Sequence, residues 1–259
     1  MMNNPNKIAL SVIVPTYNEA PNIQLLISEL SRVLEEVSHE IIVVDDDSPD
    51  GTAEIVARER ENNPFVHLIH RKDQRGLTSA LQAGIFASRG SVVGWLDSDF
   101  QHPPLMVRTL FEAIQSGVDV ASGSRFLKPL TGDKRVMPDS DTPAEVRLHG
   151  QLSHLLSLLI SLLVHKKLTD WTSGLIVIRK EIFDDYSLKG FYGEYFISLL
   201  EHCVCRGYRI VEIPYTLDLR VAGVSKSSGG GYLRLFILGF RYLVVVSRIL
   251  YARIFSTRL

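Results

Sequence analysis

The chain has 259 residues, 46% of them hydrophobic and 22% charged, enough for one large domain, or a domain with an appendage, around a full core. A formal net charge of −1 leaves no global basic field of the kind that holds nucleic acid, so any anionic ligand has to be gripped by local groups. Cys203 and Cys205 stand two residues apart in a helical stretch, point to different helix faces, and read as buried, unpaired thiols of a reducing compartment.

Residues 1–7 are polar and Asn-rich and carry no signal-peptide pattern, which predicts a catalytic part that stays in the cytoplasm. Short apolar runs rich in Val and Ile follow at 10–14, 41–44, 66–69, 92–96 and 118–121. Between them lie helical periodicities such as Ile23, Leu26, Ile27, Leu30 and Leu77, Leu81, Gly84, Ile85. Unbroken apolar strands joined by helices are what a parallel sheet covered on both faces requires, so the spacing predicts an α/β doubly wound arrangement to about residue 125. From 126 to 147 the period is lost among Pro129, Gly132, Pro138 and Pro143; a loop this long inside a compact domain is usually functional or mobile. The run 152–164 is nearly all Leu, Ile and Ser, too short for a bilayer span of about 20 residues, and reads as a buried helix or one lying against lipid. A strand at 175–178, a helix at 194–206 and a strand at 210–213, ended by Pro214, come next.

The last segment, 232–255, is apolar but carries Arg234, Arg241 and Arg248 two helical turns apart, hence on one stripe. Three central arginines argue against a spanning helix. A helix in the headgroup region, its cationic stripe on anionic lipid, fits, and so does an amphipathic helix packed on the domain or a partner.

In an open parallel sheet, ligands sit outside the carboxyl ends of the strands. Those ends here carry Pro15-Thr16-Tyr17-Asn18-Glu19, Asp45-Asp46-Asp47-Ser48-Pro49-Asp50-Gly51-Thr52, Asp97-Ser98-Asp99-Phe100-Gln101 and Ser122-Gly123-Ser124-Arg125. Asp97 and Asp99, with the amide of Gln101, suit a hard divalent cation, Mg²⁺ or Mn²⁺, that neutralises a departing diphosphate. Asp50 or Thr52 reads as the cap of the next helix, and Asp46 as an acceptor for a base N–H or a ribose hydroxyl. No Gly-x-Gly-x-x-Gly follows the first strand and no Walker loop is present, which argues against a dinucleotide enzyme and a P-loop NTPase.

These motifs, with Gly76-Leu77-Thr78-Ser79-Ala80, Ser124-Arg125, Thr172-Ser173-Gly174, Glu212-Ile213-Pro214, Arg220 and Gly223-Val224-Ser225-Lys226, resemble those of family 2 glycosyltransferases of the GT-A fold. The resemblance is narrower to the dolichol- and polyprenol-phosphate mannosyl- and glucosyltransferases, and covers residues 8 to about 230. It implies a metal site at Asp97, Asp99 and Gln101, with Asp99, Arg125 and Arg220 central to catalysis. It also implies nucleotide contacts at Pro15, Tyr17, Glu19, Val44, Asp46, Asp97 and Ser98, and an acceptor-phosphate site at Arg125, Arg147, Arg220 and Lys226. The implied division is a GT-A catalytic domain over 1–230 (nucleotide-sugar half 1–125, acceptor loop 126–150, acceptor half 151–230) and a membrane-surface helix over 231–259.

The implied reaction is displacement with inversion at the anomeric carbon. A phosphate monoester is already anionic near neutral pH, so the acceptor needs no strong base. The second half accordingly has no acidic pair where sugar-to-sugar transferases place their base, Asp184-Asp185 reading as solvated charges of a helix turn just after a strand-helix junction, and it lacks the Gln-x-x-Arg-Trp of processive synthases. Implied partners are a nucleotide-sugar donor (GDP-mannose, with UDP-glucose as the alternative), a polyprenyl or dolichyl phosphate, the cytoplasmic face of a membrane, held peripherally, and a membrane-anchoring subunit. A non-lipid acceptor and a non-catalytic scaffold are the competing readings. The sequence departs from the eukaryotic mannosyltransferase pattern after Ser173-Gly174, which lacks an arginine, after Arg147, which lacks a serine, and at Ser198. Glu194 reads equally as a contact to a sugar hydroxyl and as a solvated charge at a helix start.

Overall fold

The structure, a computed structural model, describes residues 7–127, 144–217 and 231–256. The described elements run β1 (Leu10–Thr16), α1 (Ala20–Val33), β2 (His39–Asp45), α2 (Thr52–Asn62), β3 (Val66–His70), α3 (Leu77–Ala87), β4 (Val92–Trp95), α4 (Leu105–Gln115) and β5 (Val120–Ser124). After these come α5 (Ala144–Leu163), β6 (Ile176–Arg179) with a 3-10 turn, α6 (Glu194–Cys205), β7 (Ile210–Pro214) and α7 (Gly231–Ser256).

The strands form one seven-stranded sheet in the order β3-β2-β1-β4-β6-β5-β7. All pairs are parallel except those of β6, which runs against both β4 and β5. Alternate side chains of each strand feed two cores. Leu10, Val12, Val14, Ile41 and Val43 pack beneath α1, α2 and α4, and Ile13, Ile42, Val44, Val93 and Trp95 pack beneath α3 and α6. Strands buried on both faces explain the unbroken apolar runs. At about 1.5–3 kcal/mol for each fully buried Val, Leu or Ile, this double burial is the main term holding the sheet.

Helix α3 lies unusually close to β1 at Gly84. A Cβ built there would stand 2.5 Å from Ile13 Cγ2, on a fully buried side chain of the central strand that cannot swing aside. Gly84→Ala is therefore expected to cost about 1–3 kcal/mol through overpacking, in spite of alanine's better helix propensity. Chemical denaturation checks this, and a stabilised variant would contradict it.

The cysteines are unpaired, as the spacing predicts, but only Cys203 is buried; Cys205 is exposed, with its thiol on Glu201 Oε1 at 3.2 Å. Among the described residues no helix is long and apolar enough to cross a membrane. Instead α7 is clamped to the fold. Arg253 reaches Glu201 of α6 through two bonds of 2.9 Å and also donates to the Val164 carbonyl at the end of α5, while Val246 is buried. The other side of α7 exposes Phe240, Arg241, Leu243, Arg248, Tyr251 and Phe255. Helix α5, which touches α7, exposes Leu152, Leu155, Leu158, Leu159, Leu162 and Leu163.

Candidate active site

The strand order reverses between β2-β1 and β4, and β4 stops pairing with β1 at Ile13, opposite Trp95. Beyond that point the two chains diverge, opening the crevice in which open α/β sheets bind ligands. Pro15 lies just past the last β4 pair, where its missing N–H removes no ladder bond on that side. All three non-glycine residues with positive φ among those described, Asn18 (55°), Asp47 (56°) and Phe100 (66°), lie at this one edge, after β1, β2 and β4. Asn and Asp tolerate that backbone, whereas a Phe held there is strain, the kind of cost that concentrates at working sites.

The β1 and β2 ends are stitched together by side chains. Thr16 donates to Asp45 Oδ1 (2.8 Å), and Ser48 donates to the same carboxylate through its N–H (2.9 Å) and hydroxyl (2.6 Å). Asp45 is thus a structural tie. Asp50 accepts from the Thr52 N–H (3.1 Å) and hydroxyl (2.6 Å) and from the Ala20 N–H (3.0 Å), so it serves the first turns of both α2 and α1, while Gly51 in the left-handed region is the residue at the cap. Burial works against the Asp50 charge, but these donors outweigh it and hold the carboxyl below its ordinary range.

Of the residues expected to hold a nucleotide, Glu19 is buried and accepts from the Asn22 amide at 2.8 Å. Tyr17 is half-buried, with the Arg75 guanidinium 5.0 Å from its ring centre. The side chain of Val44 is wholly in the core, so only its backbone can serve a ligand. Asp46 is buried and already engaged: Arg71 Nε donates to Oδ1 at 2.8 Å, and the Gly76 N–H donates to Oδ2 at 2.7 Å. A carboxylate has about four lone-pair sites, so room remains for a further donor. Arg71, which follows β3 and also reaches Ser79, was not foreseen from the sequence.

At the β4 end Asp97 is exposed, whereas Ser98 and Asp99 are buried and Gln101 is half-buried. Asp99 Oδ1 accepts the Gln101 N–H at 3.0 Å. Buried His102 staples this loop to the segment leading into β6, its Nδ1 accepting the Asp97 N–H (3.2 Å) and its Nε2 lying 3.2 Å from the Ser173 carbonyl. Among the described residues no three His, Cys, Asp or Glu side chains converge as a closed metal cage. The donor set of Asp97, Asp99 and the Gln101 amide nevertheless fits Mg²⁺ or Mn²⁺. A small hard cation is commonly held by one or two carboxylates and completed by substrate phosphate oxygens and water.

Arg125 follows β5 and is locked on one edge. Its Nε donates to Asp170 Oδ2 and its Nη2 to Asp170 Oδ1, each at 2.8 Å, and Nη2 also reaches Thr172 Oγ1 at 2.7 Å. Asp170 is 0% exposed. Its own turn is held by Glu212 of β7, which accepts the N–H groups of Thr169 (2.7 Å) and Asp170 (2.8 Å). Burial alone would push the Asp170 carboxyl up, but the guanidinium beside it prevails and holds it below the usual carboxylate range. Burial likewise disfavours the Arg125 charge, and Asp170 more than restores it. Nη1 takes part in none of these bonds, leaving two N–H groups for an anion.

The edge thus brings together Tyr17, Glu19, Asp46, Asp97, Asp99 and Arg125. Arg147 lies in the first turns of α5, and Arg220 and Lys226 fall outside the described residues. Glu194 is buried rather than solvated, and its oxygens accept the N–H groups of Phe191 (3.0 Å) and Tyr192 (3.1 Å).

Known proteins share this fold. Over 93% of its length the chain superimposes on 79% of glucosyl-3-phosphoglycerate synthase from Mycobacterium tuberculosis, solved with Mn²⁺ and UDP, at a TM-score of 0.69 and 17% identity, which establishes a GT-A-like fold. In sequence it is 36% identical over 221 residues to a dolichol-phosphate mannosyltransferase of Pyrococcus furiosus, covering 85% of this chain and 59% of that one. It is 33% identical to the polyprenol monophosphomannose synthase of Mycolicibacterium smegmatis (84% of this chain, 80% of that one) and 33% identical to the undecaprenyl-phosphate mannosyltransferase of Micrococcus luteus (84% and 87%). Residues 11–187, from β1 through the antiparallel strand that brings Asp170 to the edge, match the family description "Glycosyl transferase family 2". With more than half its length matched and its acidic and basic groups gathered at the switch point of the sheet, the chain belongs to glycosyl transferase family 2.

Proposed function

We propose that this chain is an inverting hexosyltransferase that moves mannose from GDP-mannose to a polyprenyl or dolichyl phosphate at the cytoplasmic face of a membrane. The observation that carries the reading is the meeting, at one sheet edge, of Asp97 and Asp99 with Arg125 on its buried Asp170 support. Carboxylates that suit a cation serve the donor diphosphate, and a preset guanidinium serves a second phosphate. The relatives named as mannosyltransferases of polyprenyl phosphates supply the sugar and the acceptor.

In this reading a phosphate oxygen of the acceptor attacks the anomeric carbon, and the bond to the nucleoside diphosphate breaks on the opposite face. Asp97, Asp99 and Gln101 would hold Mg²⁺ or Mn²⁺, which when bound supplies positive charge to the diphosphate. Arg125 binds the acceptor phosphate through Nη1 and sets its approach, while Tyr17, Glu19 and Asp46 hold the nucleoside. Positioning and fixed charge provide the rate enhancement, since the nucleophile is already ionised.

The exposed leucines of α5 and the outer face of α7 suit a lipid surface, with Arg241 and Arg248 toward anionic headgroups. At about 1 kcal/mol per basic residue near such a surface, replacing both by Glu is expected to lower vesicle partitioning roughly 30-fold. Unchanged co-sedimentation with anionic vesicles would place that stripe against protein instead.

The reaction is tested by radiolabel transfer into an organic-extractable product. The protein, Mg²⁺ or Mn²⁺ and a short-chain polyprenyl phosphate are offered labelled GDP-mannose and UDP-glucose in parallel. Label from GDP-mannose alone is expected. Label from UDP-glucose alone would reassign the donor, and label confined to the aqueous phase would remove the lipid acceptor.

A further inference from the structure

Two anions have to meet in the proposed reaction, one beside the loop that follows β4 and one beside Arg125 after β5. The strand ladder between these places stops short of both, since β4 pairs with β6 only as far as Trp95 opposite Ile176. The loop 97–102 and the turn 169–174, which supports Arg125, lie beyond that last pair. His102 bridges them.

The bond from the Asp97 N–H to His102 Nδ1, 3.2 Å long, closes the loop into a turn that carries Asp97, Asp99 and Gln101. A backbone N–H donates and cannot accept, so Nδ1 bears the lone pair and the ring proton sits on Nε2, which donates to the Ser173 carbonyl at 3.2 Å. Ser173 follows Thr172, whose hydroxyl accepts from Arg125 Nη2 (2.7 Å) and whose N–H donates to Asp170 Oδ1 (3.1 Å). One imidazole thus spans from the chain that presents the carboxylates to the turn that presents the guanidinium. The ring is buried, and Tyr215 stands edge-on to it with ring centres 5.7 Å apart. Tyr215 is itself tied to the Arg125 side, its N–H donating to the Ser124 carbonyl at 3.0 Å. Both partners of the imidazole are main-chain groups with no rotamers to change, so the ring acts as a rigid spacer.

We propose that His102 is a positioning residue that couples the loop of Asp97 and Asp99 to the acceptor arginine, fixing the separation between the donor diphosphate and the attacking phosphate. It acts through the Asp97 main chain on one side and the Ser173 main chain on the other. This rests on the cation and acceptor readings above.

The test uses the full chain, Mn²⁺, GDP-mannose and a short-chain polyprenyl phosphate, with two variants that each keep one of the two bonds. His102→Asn puts an amide oxygen near the Nδ1 position and keeps the Asp97 bond while losing that to Ser173; His102→Gln puts an amide N–H near Nε2 and does the reverse. At saturating Mn²⁺ both are expected to lower kcat about 10- to 100-fold, the scale of misplacing the reacting groups, with both KM values within about twofold of wild type. Mn²⁺ affinity in the presence of GDP, read by EPR without turnover, is expected to fall about tenfold in His102→Gln and to keep its wild-type value in His102→Asn. Wild-type kcat in His102→Asn, or an equal loss of Mn²⁺ affinity in both variants, overturns the coupling and leaves the proposed reaction standing. Wild-type protein that binds Mn²⁺ and GDP yet transfers nothing to the lipid phosphate overturns the acceptor reading and the coupling together.

Discussion

Replacing Asp170 by alanine is expected to destabilise the protein by about 3–5 kcal/mol and to cost most of its transfer activity, the largest effect anticipated for a residue outside the strand-end motifs. Asp170 is fully buried, and the Arg125 guanidinium beside it is only 18% exposed. Removing the carboxylate leaves a buried positive charge with no counter-charge. It also frees the guanidinium to leave the pose that presents Nη1, so stability and acceptor binding fall together. Asp170→Asn keeps the shape and separates charge from volume. The pH dependence gives a second reading. The folded-state pKa of Asp170 is depressed, so the stability it contributes is present above its unfolded pKa, about 3.9, and is lost as pH falls through the lower folded value. The gap in unfolding free energy between wild type and Asp170→Asn is therefore expected to be constant above about pH 5 and to narrow below about pH 4. A gap that widens in acid would contradict the pair's assigned polarity.

Asp99→Ala is expected to reduce metal-dependent turnover by at least about 10²–10³, the scale for losing one preorganised group that stabilises developing charge. Because Asp99 is buried and accepts the Gln101 N–H, part of any loss could come from a loosened loop. Asp97→Ala is the control. That side chain is exposed, so its removal should leave stability within about 0.5 kcal/mol while the turnover falls comparably. Both variants should also lose the metal-dependent shift in melting temperature that GDP gives the wild type, since a ligand that binds only the folded state stabilises it by mass action. Unchanged kinetics in both would remove the cation from this loop.

The sheet was readable because its strands are buried on both faces, which makes them unbroken apolar runs. Direction was not readable: the run around Ile176 looks the same whichever way β6 is threaded, and it runs antiparallel. Nor was the end of β5, expected at 118–121 and found at Val120–Ser124. Its last residues are small because Gly123 meets Leu175 and Tyr215, and apolarity does not report that constraint.

The same antiparallel strand explains why Asp170 is not evident from the sequence. Searching the carboxyl ends of parallel strands finds Asp97, Asp99 and Arg125, but β6 delivers residues to that edge from its amino end, and Asp170 lies just before it. Arg71 follows β3, whose end carries no acidic cluster to draw notice, yet it holds Asp46.

Whether this edge joins a sugar to a lipid phosphate is decided by ³¹P and ¹H NMR of a reaction with polyprenyl phosphate and GDP-mannose. The expected result is conversion of the monoester phosphorus signal to that of a sugar phosphodiester, with an anomeric proton of configuration inverted from the donor. A monoester signal that persists while GDP accumulates and free mannose appears would show that water, not the lipid phosphate, is the acceptor, and would overturn the proposed reaction.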